Sequence, residues 1–193
     1  FTFTRNKNDI YKTLIDRSAV KVRHLLGPSR FKSVLQHIAV AIWHSGDRAI
    51  PLSEIYDSIE NADVQAAFQA LNLQGRDAAP PPDLSLTAIY FAPPQEGASS
   101  DQSVAEFAHK SFSEYLVSAS LFDSFTRLIS AFETGDNFKT ALRHWVRQAS
   151  EGDHDPGLAD FCQKEAGLRF ESLSELDWNT ALPILKSHMK LSH

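Results

Sequence analysis

A helical repeat of apolar residues between positions 112 and 132 most restricts how this chain can fold. The apolar side chains recur every three or four residues over about six helical turns, at Phe112, Tyr115, Leu116, Ala119, Phe122, Phe125, Ile129 and Phe132. This spacing puts them on one face of a helix, and an apolar face of that length must pack against other elements. Ser111 and Glu114 have the spacing of a capping box, which predicts Ser111 as the N-cap of this helix.

The residues just before this helix predict a short strand and a corner suited to an anion. Val104 and Phe107 alternate with acidic and small residues, as they would in a strand. His109 and Lys110 then fall at a strand-to-helix junction, where unpaired N–H groups and the helix dipole favour negative charge. An imidazole N–H can add a donor there. The same spacing, taken alone, favours the simpler interpretation that His109 only caps the helix or packs beneath it.

The first 110 residues show an order of elements that is typical of a winged helix. Apolar spacing predicts one or two helices before residue 26. Three further helices are predicted. The first has Ser29 as its N-cap and ends at a C-cap signal around Gly46, the second has Pro51 near its first turn, and the third starts at Asp63. Two strands follow, Leu84–Phe91 and Ser103–Phe107, separated by a segment rich in Pro, Gly and Ser. Three helices followed by a strand, a loop and a strand predict a winged helix.

The rest of the chain predicts helices. Apolar spacing predicts one helix from Phe138 to Val146 and two more after residue 157, with Pro183 kinking or splitting the last. The predicted fold is therefore mainly α with a small β wing, a winged-helix domain followed by a helical bundle. Its predicted parts are a helical linker at 1–29, a winged-helix domain with a long closing helix at 30–133, and a C-terminal helical region at 134–193.

Composition and motifs exclude several classes of function. A net charge of −5 provides no overall attraction to nucleic acid, and the third predicted helix, from Asp63 to Leu71, contains no Lys or Arg for reading DNA. The single Cys162 permits neither an internal disulfide nor a cysteine-based zinc site. No membrane-spanning run, signal peptide or hydrolase motif is present, so an intracellular, cytoplasmic location is expected. Because the first residue is Phe1 and not Met, the chain is expected to be an excerpt of a longer protein or a processed product.

Three further patterns in the sequence do not predict a site. Gly27 to Ser33 resembles a phosphate-binding loop in spacing, but Phe31 replaces the glycine that should precede the lysine, and a helix start is predicted instead. His37 and His44 lie two helical turns apart, about 10 Å along the axis, which is too far for one metal ion. A predicted turn contains Asp153, His154 and Asp155 in sequence. Three adjacent side chains in a turn seldom bind one metal ion without ligands from elsewhere. No metal site is predicted.

One stretch resembles a known family signature. The residues Phe107-Ala-His109-Lys110-Ser-Phe-Ser-Glu-Tyr-Leu resemble the Phe-x-His-Lys-Ser-Phe-x-Glu-Tyr-Leu motif that closes the winged-helix domain of NACHT-type STAND nucleotide-switch proteins. In that family the winged-helix histidine contacts the β-phosphate of ADP and holds the molecule in its off state. The resemblance implies that His109 binds the ADP β-phosphate, with Lys110 as a weaker contact. Residues 8–15 and the order Trp145, Phe161, Glu165 are also similar to flanking helices of the family.

The resemblance implies a regulatory segment of a STAND NTPase whose P-loop core lies upstream, outside this chain. This segment itself is not expected to be an enzyme or to bind nucleotide alone, whereas the parent protein is expected to be an ATPase that uses ADP/ATP with Mg. Expected partners are the upstream nucleotide-binding domain, further copies of the protein on activation, and an unidentified trigger. Family membership also suggests signal transduction and antiviral defence. The alternative is a freestanding winged-helix module that binds nucleic acid or protein.

Overall fold

The computed structural model describes residues 7–71, 89–92, 104–135, 137–150, 152 and 156–169. These residues are mainly helical with a small antiparallel sheet, which confirms the predicted fold class at that level. The helices are α1 (Lys7–Lys21), α2 (Pro28–Ser45), α3 (Leu52–Asp57), α4 (Ala62–Ala70), α5 (Lys110–Thr134), α6 (Phe138–Ser150) and α7 (Pro156–Arg169). The strands are β1 (Ala49–Pro51), β2 (Ile89–Ala92) and β3 (Val104–Phe107).

Helix α2 is the centre of the first half of the chain. Its apolar face is buried, at Phe31, Val34, Leu35, Ile38, Ala39 and Ile42. It ends at Gly46, which has a φ of +74° and so provides the left-handed C-cap predicted from the sequence. The predicted N-cap at Ser29 is wrong: Gly27 is the N-cap and Pro28 opens the helix, because its fixed φ suits the first helical position. Gly27 to Ser33 is therefore a helix start and not a phosphate-binding loop.

The central strand of the sheet leads directly to the strand-to-helix junction at His109. The strand order is β1-β3-β2 and both pairings are antiparallel, so β3 is the central strand. Ala49 lies opposite Glu106 on one side of β3, and Ile89 lies opposite Phe107 on the other. The strand predicted at residues 103–107 is confirmed over residues 104–107. The start of the other predicted strand, at Leu84, lies outside the described residues, as do the predicted wing and the last helix with Pro183.

Helix α1 buries one face and exposes another set of apolar residues. Ile15 and Ala19 on this helix, and Val22 just after it, are at most 4% exposed. Ile10 and Leu14, which belong to the same apolar pattern in the sequence, are 43% and 42% exposed. The pattern therefore predicted the helix correctly but did not distinguish its buried face from its exposed face, because apolar residues occur on both.

The described residues group into two compact units, one up to Ser113 and one from Glu114 onward. The sequence placed the end of the winged-helix domain at residue 133, whereas this division falls within α5. Within the second unit, α5 packs against both following helices: the rings of Phe125 and Trp145 lie 5.4 Å apart, and those of Tyr115 and Phe161 lie 6.1 Å apart. These contacts make most of α5 part of the second unit.

Candidate functional site

His109 lies at the junction between β3 and α5, as the sequence predicted. Strand β3 ends at Phe107, helix α5 begins at Lys110, and both His109 and Lys110 are exposed. The backbone carbonyl of His109 accepts hydrogen bonds from the amides of Phe112 and Ser113, at 3.0 and 3.4 Å. His109 thus occupies the N-cap position with its imidazole in solvent. The simpler interpretation, that His109 only caps the helix or packs beneath it, therefore agrees with the structure in its first part, whereas a ring packed beneath the helix does not describe this exposed side chain.

The capping box predicted from Ser111 and Glu114 is wrong. Helix α5 begins at Lys110, so Ser111 lies inside the first turn, where its hydroxyl oxygen accepts a hydrogen bond from the Tyr11 hydroxyl at 3.0 Å. The physical reason is that the His109 carbonyl closes the first turn and Ser111 serves a partner distant in sequence. Nothing in the local spacing indicated that partner.

An aromatic cluster packs against the junction between β3 and α5. The Phe112 ring lies 5.7 Å from Phe107 in an edge-to-face arrangement and 5.4 Å from Tyr11. Phe107 and Phe112 are 5% and 3% exposed. Aromatic pairs at these distances add roughly 0.5–1.5 kcal/mol each beyond burial. The last residue of β3 and the first turn of α5 are therefore fixed to each other and to α1.

The charges around His109 suit an anionic group. The positive end of the dipole of the 25-residue helix α5 lies here, and the exposed side chain of Lys110 follows directly. The nearest carboxylate in the preceding strand, Glu106, forms an ion pair with Arg48. A dipole end, a lysine and an exposed imidazole form a donor set that fits a phosphate.

Glu114 has a different role from the one predicted. A Cβ placed on Gly157 would lie 2.7 Å from both carboxylate oxygens of Glu114, so the carboxylate lies directly against the second residue of α7. A helix amino terminus favours an anion, and a glycine permits this close approach. Glu114 therefore links the second unit internally, between α5 and α7.

We expect Gly157→Ala to lower the free energy of unfolding of the second unit by about 1 kcal/mol, because the methyl group displaces the Glu114 carboxylate from the positive helix end. In a Glu114→Ala background the same change should be neutral or slightly stabilising, since Ala favours helix over Gly. Denaturant unfolding of the four proteins in a double-mutant cycle measures the coupling. A coupling free energy near zero would show that the carboxylate does not depend on Gly157.

Among the described residues, burial shifts the pKa values of His37 and Cys162. Burial lowers the pKa of His37, with a smaller contribution from His44, and its Nε2 lies 3.0 Å from the Ser58 hydroxyl. Burial, reinforced by the Glu165 carboxylate, raises the pKa of the Cys162 thiol, which is fully buried and so remains protonated and unreactive.

A cluster of three charges lies in the second unit. Arg169 donates to Asp123 at 2.6 Å and to Glu165 at 3.0 Å. Burial tends to lower the pKa of Arg169, but the charge and hydrogen bond of Asp123, followed by those of Glu165, outweigh it and raise the pKa. An arginine paired with two carboxylates stabilises packing and is not available as an acid or a base.

The surface of α4 does not have the charge of a DNA-reading helix. Asn61 caps this helix by accepting from the amides of Asp63 and Val64, at 2.8 and 3.2 Å. Residues 62–70 contain no Lys or Arg. The carboxylate of Asp63 lies 3.8 Å from exposed Arg30, which reduces the positive charge of the neighbouring surface.

The described part of the chain has neither a metal-binding cluster nor a membrane-spanning helix. Within it, no group of three His, Cys, Asp or Glu side chains could hold a metal ion, and the predicted turn at Asp153 to Asp155 lies outside the described residues. None of its helices is both long enough and apolar enough to cross a membrane. Comparison of the chain with protein-family models, with curated proteins and with solved structures finds no match.

Proposed function

We propose that this chain is the regulatory winged-helix and helical segment of a NACHT-type STAND NTPase, which couples ADP or ATP binding in the parent protein to self-assembly. The observation that carries the proposal is the exposed imidazole of His109, at the amino terminus of α5 and next to Lys110. This arrangement provides donors for one phosphate group without enclosing a whole nucleotide. The segment therefore acts on nucleotide held by another domain.

The order of elements supports the winged-helix part of the proposal. Helices α2, α3 and α4 precede strands β2 and β3, and β1 joins the same antiparallel sheet between α2 and α3. In this arrangement the central strand β3 leads straight into α5.

In the proposed switch, ADP supplies a β-phosphate that is presented by the upstream nucleotide-binding domain. A ring N–H of His109 donates to that phosphate, and the side chain of Lys110 adds positive charge. Together they hold the segment against the nucleotide-binding domain in the off state. When a trigger favours ATP, this contact is lost, the segment moves away, and copies of the protein assemble. The parent protein, and not this segment, holds Mg.

A freestanding nucleic-acid-binding winged helix is the alternative. It requires a basic recognition helix. Helix α4 has no basic residue, and its first turn carries Asp63. We therefore expect no salt-dependent gel shift with duplex DNA, and the observation of one would favour this alternative.

The experiment that tests the switch uses the full-length parent protein. We expect His109→Ala to accelerate ADP release by roughly tenfold to a hundredfold, because a hydrogen bond to a charged group contributes about 1.5–3 kcal/mol. Release of a fluorescent ADP analogue measures the rate. His24→Ala is the matched control, since His24 is another exposed histidine in the first unit. If the His109→Ala protein retained ADP like the wild type, the role of His109 would be wrong.

A further inference from the structure

We propose that Tyr11 is a positioning residue that orients the first turn of α5 and thereby His109, an inference that rests on the proposed role of His109 as a phosphate donor. Tyr11 lies in α1, one hundred residues before its hydrogen-bond partner. It links the first described helix of the chain to the corner where the phosphate would bind.

Two independent contacts join Tyr11 to this turn. Its hydroxyl donates to the Ser111 hydroxyl oxygen at 3.0 Å, and its ring packs on the Phe112 ring with a centroid distance of 5.4 Å and an interplanar angle of 58°. These contacts restrain two successive residues in the first turn of α5.

The same turn fixes the backbone of His109. The amide of Phe112, one of the two residues that Tyr11 holds, donates to the His109 carbonyl at 3.0 Å. Among the residues that the structure describes, none forms a hydrogen bond to the His109 ring. The backbone therefore sets the point at which the imidazole is attached, and this backbone is hydrogen-bonded to the turn that Tyr11 contacts.

Through these contacts, the position of α1 affects the position of the proposed phosphate contact. One side of α1 is exposed, and the other side is buried in the first unit at Ile15 and Ala19. Val22, just after the helix, is buried as well, so the helix moves as part of a packed body. A displacement of α1 would shift Tyr11, and with it Ser111, Phe112 and the carbonyl of His109. Removing the Tyr11 hydroxyl loosens this connection without touching any group that meets the phosphate.

The first part of the experiment uses the 193-residue chain and requires no nucleotide. We expect Tyr11→Phe and Ser111→Ala each to change the imidazole NMR signals of His109 and to accelerate amide exchange at Phe112 and Ser113 by about two- to tenfold. Ser111→Thr keeps the hydroxyl, so its His109 signals and its two amide exchange rates should equal those of the wild type. Amide exchange within α2 should stay unchanged, which separates a positioning effect from a general loss of stability.

Tyr56→Phe is the matched control, because the Tyr56 hydroxyl accepts from Gln69 at 2.9 Å in the same unit and is not part of the corner. It should leave the His109 signals unchanged. If Tyr11→Phe also left the His109 signals and the two amide rates at wild-type values, the proposal would be overturned.

The second part uses ADP release from the full-length protein. Tyr11→Phe should accelerate ADP release by about two- to tenfold in the wild-type background. In the His109→Ala background it should not change the release rate. Faster release with His109→Ala but not with Tyr11→Phe would overturn the positioning role and leave the switch intact. Altered His109 signals with no effect of His109→Ala on release would support the link through Tyr11 and reject the switch.

Discussion

Ile15→Ala lowers the free energy of unfolding of the first unit by about 2–5 kcal/mol, whereas Leu14→Ala lowers it by about 1 kcal/mol at most. The two residues are neighbours in α1 and almost equal in size and hydrophobicity. Ile15 is 4% exposed and Leu14 is 42% exposed. Truncation at Ile15 leaves a cavity in a packed interior, while truncation at Leu14 removes atoms that water already contacts. Amide exchange within α2 measures the stability of this unit.

The comparison tests the orientation of α1 about its own axis, on which the position of Tyr11 also depends. Both substitutions place Ala in the same helix, so their effects on helix propensity are nearly equal and differ only through the branched side chain of Ile15. Equal losses at the two positions, or a larger loss at Leu14, would mean that α1 presents a different face to the unit. The proposed contact between Tyr11 and Ser111 could then not form.

Arg169→Met lowers the stability of the second unit by about 2–3 kcal/mol. Methionine keeps most of the apolar stem, but it leaves the carboxylate of Glu165, which is 6% exposed, without its cation. The Arg169 side chain is 25% exposed, so we expect a smaller loss than for a fully buried pair. Denaturant unfolding followed by amide exchange in α7 measures the effect.

The same helix provides a control for this substitution. Lys164 pairs with Asp160 one turn away, and these side chains are 31% and 48% exposed. Lys164→Met should therefore lower stability by only about 0.3–0.5 kcal/mol. Adding Glu165→Gln to Arg169→Met should recover part of the loss, because it removes the buried charge that the arginine had balanced. If Lys164→Met and Arg169→Met cost the same, the cluster around Arg169 would be an ordinary surface ion pair.

The sequence contained enough information for most local structure. The spacing of apolar residues and the caps predicted α2 with its end at Gly46, and the same reasoning predicted α4, β3 and α5. It also placed His109 at the junction of a strand and a helix. These features depend on residues within a few turns of one another, and helical spacing, a C-cap glycine and strand alternation all act over that range.

The tertiary structure decided which side chains meet at the corner and between the helices. Ser111 and Glu114 have the spacing of a capping box, yet Ser111 accepts from Tyr11 and Glu114 lies against Gly157. Spacing alone cannot choose between a local partner and a distant one, because both satisfy the same donor or acceptor. The choice follows from how the helices pack, which also sets the buried face of α1 and the exposure of the His109 ring.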